Sequence, residues 1–261
     1  MLGLKLWSIN TDFYLPEALK LYEKGAFDYI ELYVVPDSKE TLSLWRETGI
    51  PFRLHAPHSS HGVNLADPEK LNFNLKAFAE VKLFAEALLV PYTIVHLGMD
   101  GTIEESIRQL RLTGLRDVLL ENKPCKTEFN ESSRFRGSSI SELSFAMSEL
   151  QCGCCLDIGH AICAYNTFKK RGDFEGSIIF NDPYQFVAEF NKLQPRCYHL
   201  SDNYVWNEVD EHFHFGKGDY DLKKIFEIID PEVDLAIETE HSAPDNLDDF
   251  VEDVAWVKNL R

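Results

Sequence analysis

The sequence predicts a closed barrel of eight parallel β-strands alternating with helices, an α/β fold, on three observations. Strand-like and helix-like segments alternate without a break along the 261 residues. Strand interiors are apolar, as expected of a sheet buried on both faces. From the third strand to the eighth, each strand terminates in an ionisable side chain able to bind a metal. A doubly wound open sheet would alternate too, but would not bring six successive strand ends to one place. No Gly-rich dinucleotide fingerprint follows the first strand, and no Walker-type loop is present.

The elements follow in order. Residues 4–10 (LKLWSIN) read as the first strand, and a helix follows Pro16 and is ended by Gly25. Residues 28–34 (DYIELYV) form the second strand, with a helix near 38–49, and residues 51–57 (PFRLHAP) the third. A long helix over 68–88 places Leu75, Phe78, Val81, Leu83, Phe84 and Leu88 at helical spacing. Strand 92–98 (YTIVHLG) precedes helix 102–114, and strand 117–122 (DVLLEN) precedes helix 140–150. Strand 153–159 (GCCLDIG) is followed by a helix near 183–193, and strand 196–202 (RCYHLSD) by a short helix at 221–229. Strand 234–240 (DLAIETE) and helix 245–259 complete eight units, and the expectation is one domain over residues 1–261. Two connections are long, 122–139 and 160–182, and both follow strands. They are expected to lie as loops over the active face, in the manner of lids.

Composition narrows the function classes. The formal charge of −17 opposes nonspecific binding to nucleic acid or anionic membrane. No run of about 18 apolar residues suggests a membrane span. The N-terminal MLGLKLWSIN reads as a strand and not as a signal peptide. The six cysteines (Cys125, Cys152, Cys154, Cys155, Cys163, Cys197) make a poor disulfide framework, because three crowd one strand. They are expected to be reduced and structural in a cytoplasmic protein.

The strand ends carry the chemistry. They are His55, His96, Glu121, Asp157 with His160, His199 and Glu238, and an Asp210-x-His212 pair follows the seventh strand. At the C-terminal rim of a barrel these side chains converge on one polar site. Histidine plus carboxylate, without thiolate, suits Zn2+, Mn2+, Co2+ or Fe2+. The long connections add Arg134, Arg136, Lys169, Lys170 and Arg171. Solvated surface charge is one reading of them, and a trap for an anionic substrate group is the other.

The strings HAPHSSHGVNLAD, TIVHLG, LLENK, CLDIGHA, YHLSDN, DEHFHFGKGDYD and AIETE resemble the xylose-isomerase-like TIM barrels, over about residues 50–240. That superfamily includes sugar isomerases and epimerases and endonuclease IV. Similarity to endonuclease IV implies a three-metal site on His55, His96, Glu121, Asp157, His160, His199, Asp210, His212 and Glu238. Similarity to the isomerases implies one metal, Zn2+ or Mn2+, on Glu121, Asp157, His199 and Glu238, with two of these carboxylates also moving protons. The stretch ENKPCKTEF departs from endonuclease IV, and neither VVPDSKET nor APHSSHG offers a wedge for opening a duplex. The preferred reading is therefore a metal-dependent isomerase or epimerase of a small sugar-like or anionic substrate. Glu121 and Glu238 would be proton donor and acceptor, with His160 and Lys123 orienting hydroxyls. The alternative is an endonuclease IV-type phosphodiesterase with a multinuclear zinc site, acting on nucleic acid.

Overall fold

In a computed structural model describing residues 1–126, 133–172, 180–241 and 246–260, eight parallel strands close into a barrel in the order β1 to β8. The strands are β1 (Leu2–Trp7), β2 (Tyr29–Tyr33), β3 (Phe52–His55), β4 (Thr93–Val95), β5 (Val118–Glu121), β6 (Gly153–Asp157), β7 (Cys197–Leu200) and β8 (Asp234–Ile237). Parallel pairing of β1 with β8, Leu4 opposite Ile237, closes the ring.

The helices surround it: α1 (Tyr14–Glu23), α2 (Leu42–Glu47), α3 (Leu71–Leu88), α4 (Ile103–Thr113), α5 (Ile140–Leu150), α6 (Ile158–Arg171), α7 (Pro183–Asn191), α8 (Leu222–Ile228) and α9 (Asp248–Leu260). The expected (β/α)8 architecture is thus present, with one correction. Residues 160–171, expected as the start of a long loop, belong to α6. No linker announces this helix, because Asp157 is both the last residue of β6 and the N-cap, its Oδ1 accepting from the His160 amide at 2.7 Å. Gly172, at φ 66°, ends it. Residues 127–132 and 173–179 of the two long connections lie outside the described residues.

Alternation along the strands sorts side chains into two cores. Leu4, Ile30, Leu54, Val95, Leu120, Leu156, Tyr198 and Ile237 belong to the large apolar cluster that packs under the helices. Tyr92, Ile94, Leu119, Cys155 and Cys197 form a separate small cluster inside the barrel. Below it, Arg53 donates to Asp234 at 2.9 Å and Tyr92 to the same carboxylate at 2.8 Å, so the floor is a paired polar layer. The inward residue one step further along each strand falls in the site described next. The barrel floor therefore plugs the bottom, and the strand-end histidines and carboxylates lie above it at the C-terminal rim. All six cysteines are free thiols, five of them buried. Among the described residues no helix is long and apolar enough to cross a membrane.

Candidate metal centre

The structure brings the seven strand-end residues and the Asp210–His212 pair identified in the sequence to one place. Glu121 is the hub. Its Oε2 lies 2.9 Å from His55 Nε2, 3.0 Å from His96 Nε2 and 3.6 Å from His199 Nδ1. Its Oε1 lies 3.1 Å from His160 Nδ1 and 3.4 Å from Lys123 Nζ. Around His199 Nδ1 stand Glu238 Oε2 at 2.6 Å and Asp157 Oδ2 at 3.9 Å. Asp210 Oδ2 completes the far side, 3.6 Å from His160 Nε2 and 3.9 Å from His212 Nε2.

Local structure explains how each arrives. Asn122 clamps β5 to β6, donating to the Asp157 carbonyl at 2.9 Å and accepting from the Asp157 amide at 2.7 Å. Gly159 allows the close approach of Asp210, since a Cβ there would stand 2.7 Å from Asp210 Oδ2. The Asp210–Tyr220 segment is shaped by Asp202, whose carboxylate accepts from the amides of Asn203, Gly216, Gly218 and Tyr220 at 2.8–3.2 Å. Gly218 fits because any Cβ would meet the Asn203 backbone at 2.3 Å.

The histidines share an arrangement. One ring nitrogen donates outward, from His55 Nδ1 to the Ala56 carbonyl, His160 Nδ1 to the Asn122 carbonyl and His212 Nδ1 to the Glu238 carbonyl, at 2.8–2.9 Å. The opposite nitrogen, left as a lone-pair donor, points to carboxylate oxygens. Fixing the tautomer through an outer partner is how proteins orient metal-ligating imidazoles. Lone pairs converging on carboxylates repel each other unless a proton or a metal cation lies between them, and nearby carboxylates outweigh burial to raise His199 and His212 above the ordinary imidazole value.

His96 Nδ1 and Asp210 Oδ2 are buried atoms that make no hydrogen bond, and His199 Nδ1 faces Glu238 Oε2 at 2.6 Å. Among the described residues three groups of histidine and carboxylate are compact enough to hold an ion, His55–His96–Glu121 and Glu121–Asp157–His199, which share Glu121, and His160–Asp210–His212, while a fourth group, Cys155–Cys197–His199, adds two thiols. The residues present therefore fit a divalent metal centre.

Electrostatics agree. Burial opposes ionisation of Glu121 and Glu238, yet both carboxyls are held well below the ordinary range. His96 and Lys123 do this for Glu121, and Lys5 and His199 for Glu238. Asp157 is pushed up to about 6, first by burial and then by the carboxylates of Asp210, Glu238 and Glu121.

Two residues absent from the sequence reading join the site from β1 and β2. Fully buried Glu31 accepts from His199 Nε2 at 2.9 Å, which leaves Nδ1 free for the site. Lys5, its side chain 11% exposed, lies 2.5 Å from Glu238 Oε1 and 3.4 Å from Glu31 Oε1. Burial would lower the Lys5 ammonium, but Glu238, Glu31 and Glu121 outweigh it and raise it above the ordinary lysine value. Both residues have a readable signal, an ionisable side chain between fully apolar neighbours in a strand (Leu4-Lys5-Leu6, Ile30-Glu31-Leu32). His58 also joins, its ring stacked on His96 at 4.4 Å between centroids. Replacing Glu31 with Gln removes the charge that orients His199 while keeping the shape. Metal affinity is expected to fall by about 10–100-fold, read by competitive zinc titration with thermal unfolding as control.

A cavity of about 150 Å³ opens over this cluster, walled by His58, His96, Lys123, Phe135, His160 and Glu238, among others. Of the basic residues expected to bind substrate, Lys123 lines it, joined by Lys126. Arg134, Arg136, Lys169, Lys170 and Arg171 do not. The Arg134 side chain is exposed. Arg136 pairs with Glu142 at 3.2 Å, Lys170 pairs with Glu208 at 2.7 Å, and Lys169 lies over the Trp206 ring at 4.9 Å. Lys169, Lys170 and Arg171 form the last turn of α6, where positive charge also meets the negative end of the helix dipole.

The sequence profile described as xylose isomerase-like TIM barrel matches residues 19–260. The chain belongs to that family. No curated protein matches the sequence. Solved structures resemble this xylose isomerase-like barrel along its length at low identity. A D-tagatose 3-epimerase-like protein matches with a TM-score of 0.67 and 18% identity, covering 98% of this chain and 96% of its own. Endonuclease IV from Thermus thermophilus matches with a TM-score of 0.68 and 21% identity, covering 99% of each chain. The IOLI protein, solved with a zinc atom, matches with a TM-score of 0.59 and 15% identity, covering 98% of this chain and 95% of its own. Solved structures titled as epimerase-like and as endonuclease IV thus share one barrel fold with this chain.

Proposed function

We propose that the chain is a divalent-metal-dependent isomerase or epimerase acting on a small sugar or related hydroxy-carbonyl compound. The cavity carries this reading. The space of about 150 Å³ over the carboxylate cluster suits a short carbon chain.

Glu121, Asp157, His199 and Glu238, from β5 to the end of β8, would hold the ion. A divalent cation there supplies a Lewis acid for adjacent carbonyl and hydroxyl oxygens. Glu238 and Glu121 approach His199 Nδ1 from different strands, at 2.6 and 3.6 Å. One carboxylate removes the proton from the carbon beside the carbonyl, and the other returns a proton on the second carbon or the opposite face. Lys5 holds Glu238 Oε1, so Oε2 is the oxygen presented to the site. Lys123 and His58 line the cavity and would bind substrate oxygens. Zn2+ and Mn2+ both suit the donor set of histidine and carboxylate.

A second reading, an endonuclease IV-type phosphodiesterase, draws support from the three triads of histidine and carboxylate. One pair of assays separates the two. Purified protein loaded with Zn2+ or Mn2+ is incubated with three- to six-carbon ketoses and aldoses, and in parallel with a duplex containing an abasic site. The expected result is chelator-sensitive interconversion of a sugar without incision. Incision without interconversion would replace the isomerase reading by the phosphodiesterase one.

A further inference from the structure

One member of the third ligand triad, His160–Asp210–His212, already faces a cation supplied by the chain. Lys123 Nζ stands 3.0 Å from His160 Nε2. His160 Nδ1 donates to the Asn122 carbonyl, so Nε2 is the nitrogen a metal would use, and the ammonium donates to that same lone pair. Lys123 is held there. Its side chain is 9% exposed, its Nζ is 3.4 Å from Glu121 Oε1, and it lies 5.5 Å from the Phe135 ring centroid. Its amide donates to the Gly137 carbonyl at 3.3 Å, which fixes the stem. A zinc ion on His160 would sit about 2.0–2.1 Å from Nε2, against the ammonium. Two cations cannot share that lone pair.

The charge of the wider site gives the same answer. Lys5 compensates Glu31 and Glu238, and Lys123 compensates Glu121. The carboxylates are thus partly neutralised by built-in ammonium groups, and each further divalent ion has less negative charge to offset. Sequence alone offers all nine ligands of a three-metal centre, but the lysine two residues after Glu121 changes what they can hold.

We infer that Lys123 takes the place of a third metal ion by occupying the Nε2 lone pair of His160, so that the His160–Asp210–His212 triad lacks one ligand and the centre holds no more than two ions. This goes beyond the proposed reaction, since it concerns which cation takes that lone pair and stands whatever the enzyme catalyses.

Zinc stoichiometry tests it without any activity assay. Wild type, Lys123→Met and the double variant Lys123→Met/His160→Ala are dialysed to equilibrium with buffered Zn2+, and bound zinc per folded chain is measured by elemental analysis. Wild type is expected to bind at most two ions, Lys123→Met one more than wild type, and the double variant to lose that gain. Three ions in wild type, or no gain in folded Lys123→Met, would overturn the inference. Should Lys123→Met fail to fold, anomalous scattering from zinc-soaked wild-type crystals decides. A peak within the His160–Asp210–His212 triad overturns the inference, and peaks confined to the Glu121 side support it. A failed sugar assay beside this stoichiometry would count against the isomerase reading alone.

Discussion

Glu121→Gln is expected to remove metal binding and activity together while the barrel still folds. Glu121 faces four histidines and Lys123 with its two oxygens, all within 3.6 Å. The amide keeps the volume but turns one acceptor into a donor aimed at imidazole lone pairs, and it deletes the charge common to two of the three triads. Loss of a group that both binds the ion and moves a proton should lower turnover by at least about 10²–10⁴-fold. Apolar packing around β5 is untouched, so the unfolding transition of the metal-free protein should remain cooperative. Metal content after dialysis, read beside a thermal melt, checks both halves. Wild-type metal content in this variant would remove Glu121 from the centre.

Asp202→Ala is expected to be the costliest single change near the rim, although Asp202 touches none of the nine site residues through its side chain. Its buried carboxylate is the common acceptor for four backbone amides, and its own backbone pairs with Phe213 in both directions. Hydrogen bonds to a charged acceptor contribute about 1.5–3 kcal/mol each, and they are not additive around one carboxylate. A loss of about 3–5 kcal/mol of folding stability is expected. The same change frees the segment that carries Asp210 and His212, so metal affinity should fall even at temperatures where the variant stays folded. Chemical denaturation gives the first quantity and zinc titration the second. A variant within about 0.5 kcal/mol of wild type, the range of an ordinary surface substitution, would show that the loop is held by other contacts.

The sequence makes the barrel and its rim legible for one reason. In β3 to β8 the ionisable residues sit at the strand ends, where apolar alternation breaks, and closure of the sheet then gathers them. His96 and Glu238 fall just beyond their strands and are still readable, because β4 and β8 point straight at the rim. Lys5 and Glu31 escape a sequence reading because they lie inside strands, where a charged side chain looks like an interruption of the core. Their reason for being there is each other, with Glu238 and His199, which only the closure of β1 against β8 reveals. The start of α6 is hidden because β6 runs into it without a turn residue, Asp157 serving strand, cap and site together. The basic residues of the long connections suggest a rim trap, but their placement follows from nearby acidic and aromatic partners in the fold, Glu142, Glu208 and Trp206. Asp202 stands in view within the string YHLSDN, but its four amide donors come from the Asn203–Tyr220 segment, whose folding is tertiary.

The central claim is that this rim, loaded with a divalent ion, moves a proton at carbon. The most direct test is solvent exchange, with loaded protein incubated in D2O with small ketoses and aldoses and followed by proton NMR. Deuterium is expected to enter at the carbon beside the carbonyl of at least one substrate. That incorporation should disappear with chelator and in Glu121→Gln, and persist in a variant changed only at exposed Lys76. Absence of incorporation from every sugar by metal-loaded, folded protein would contradict the claim.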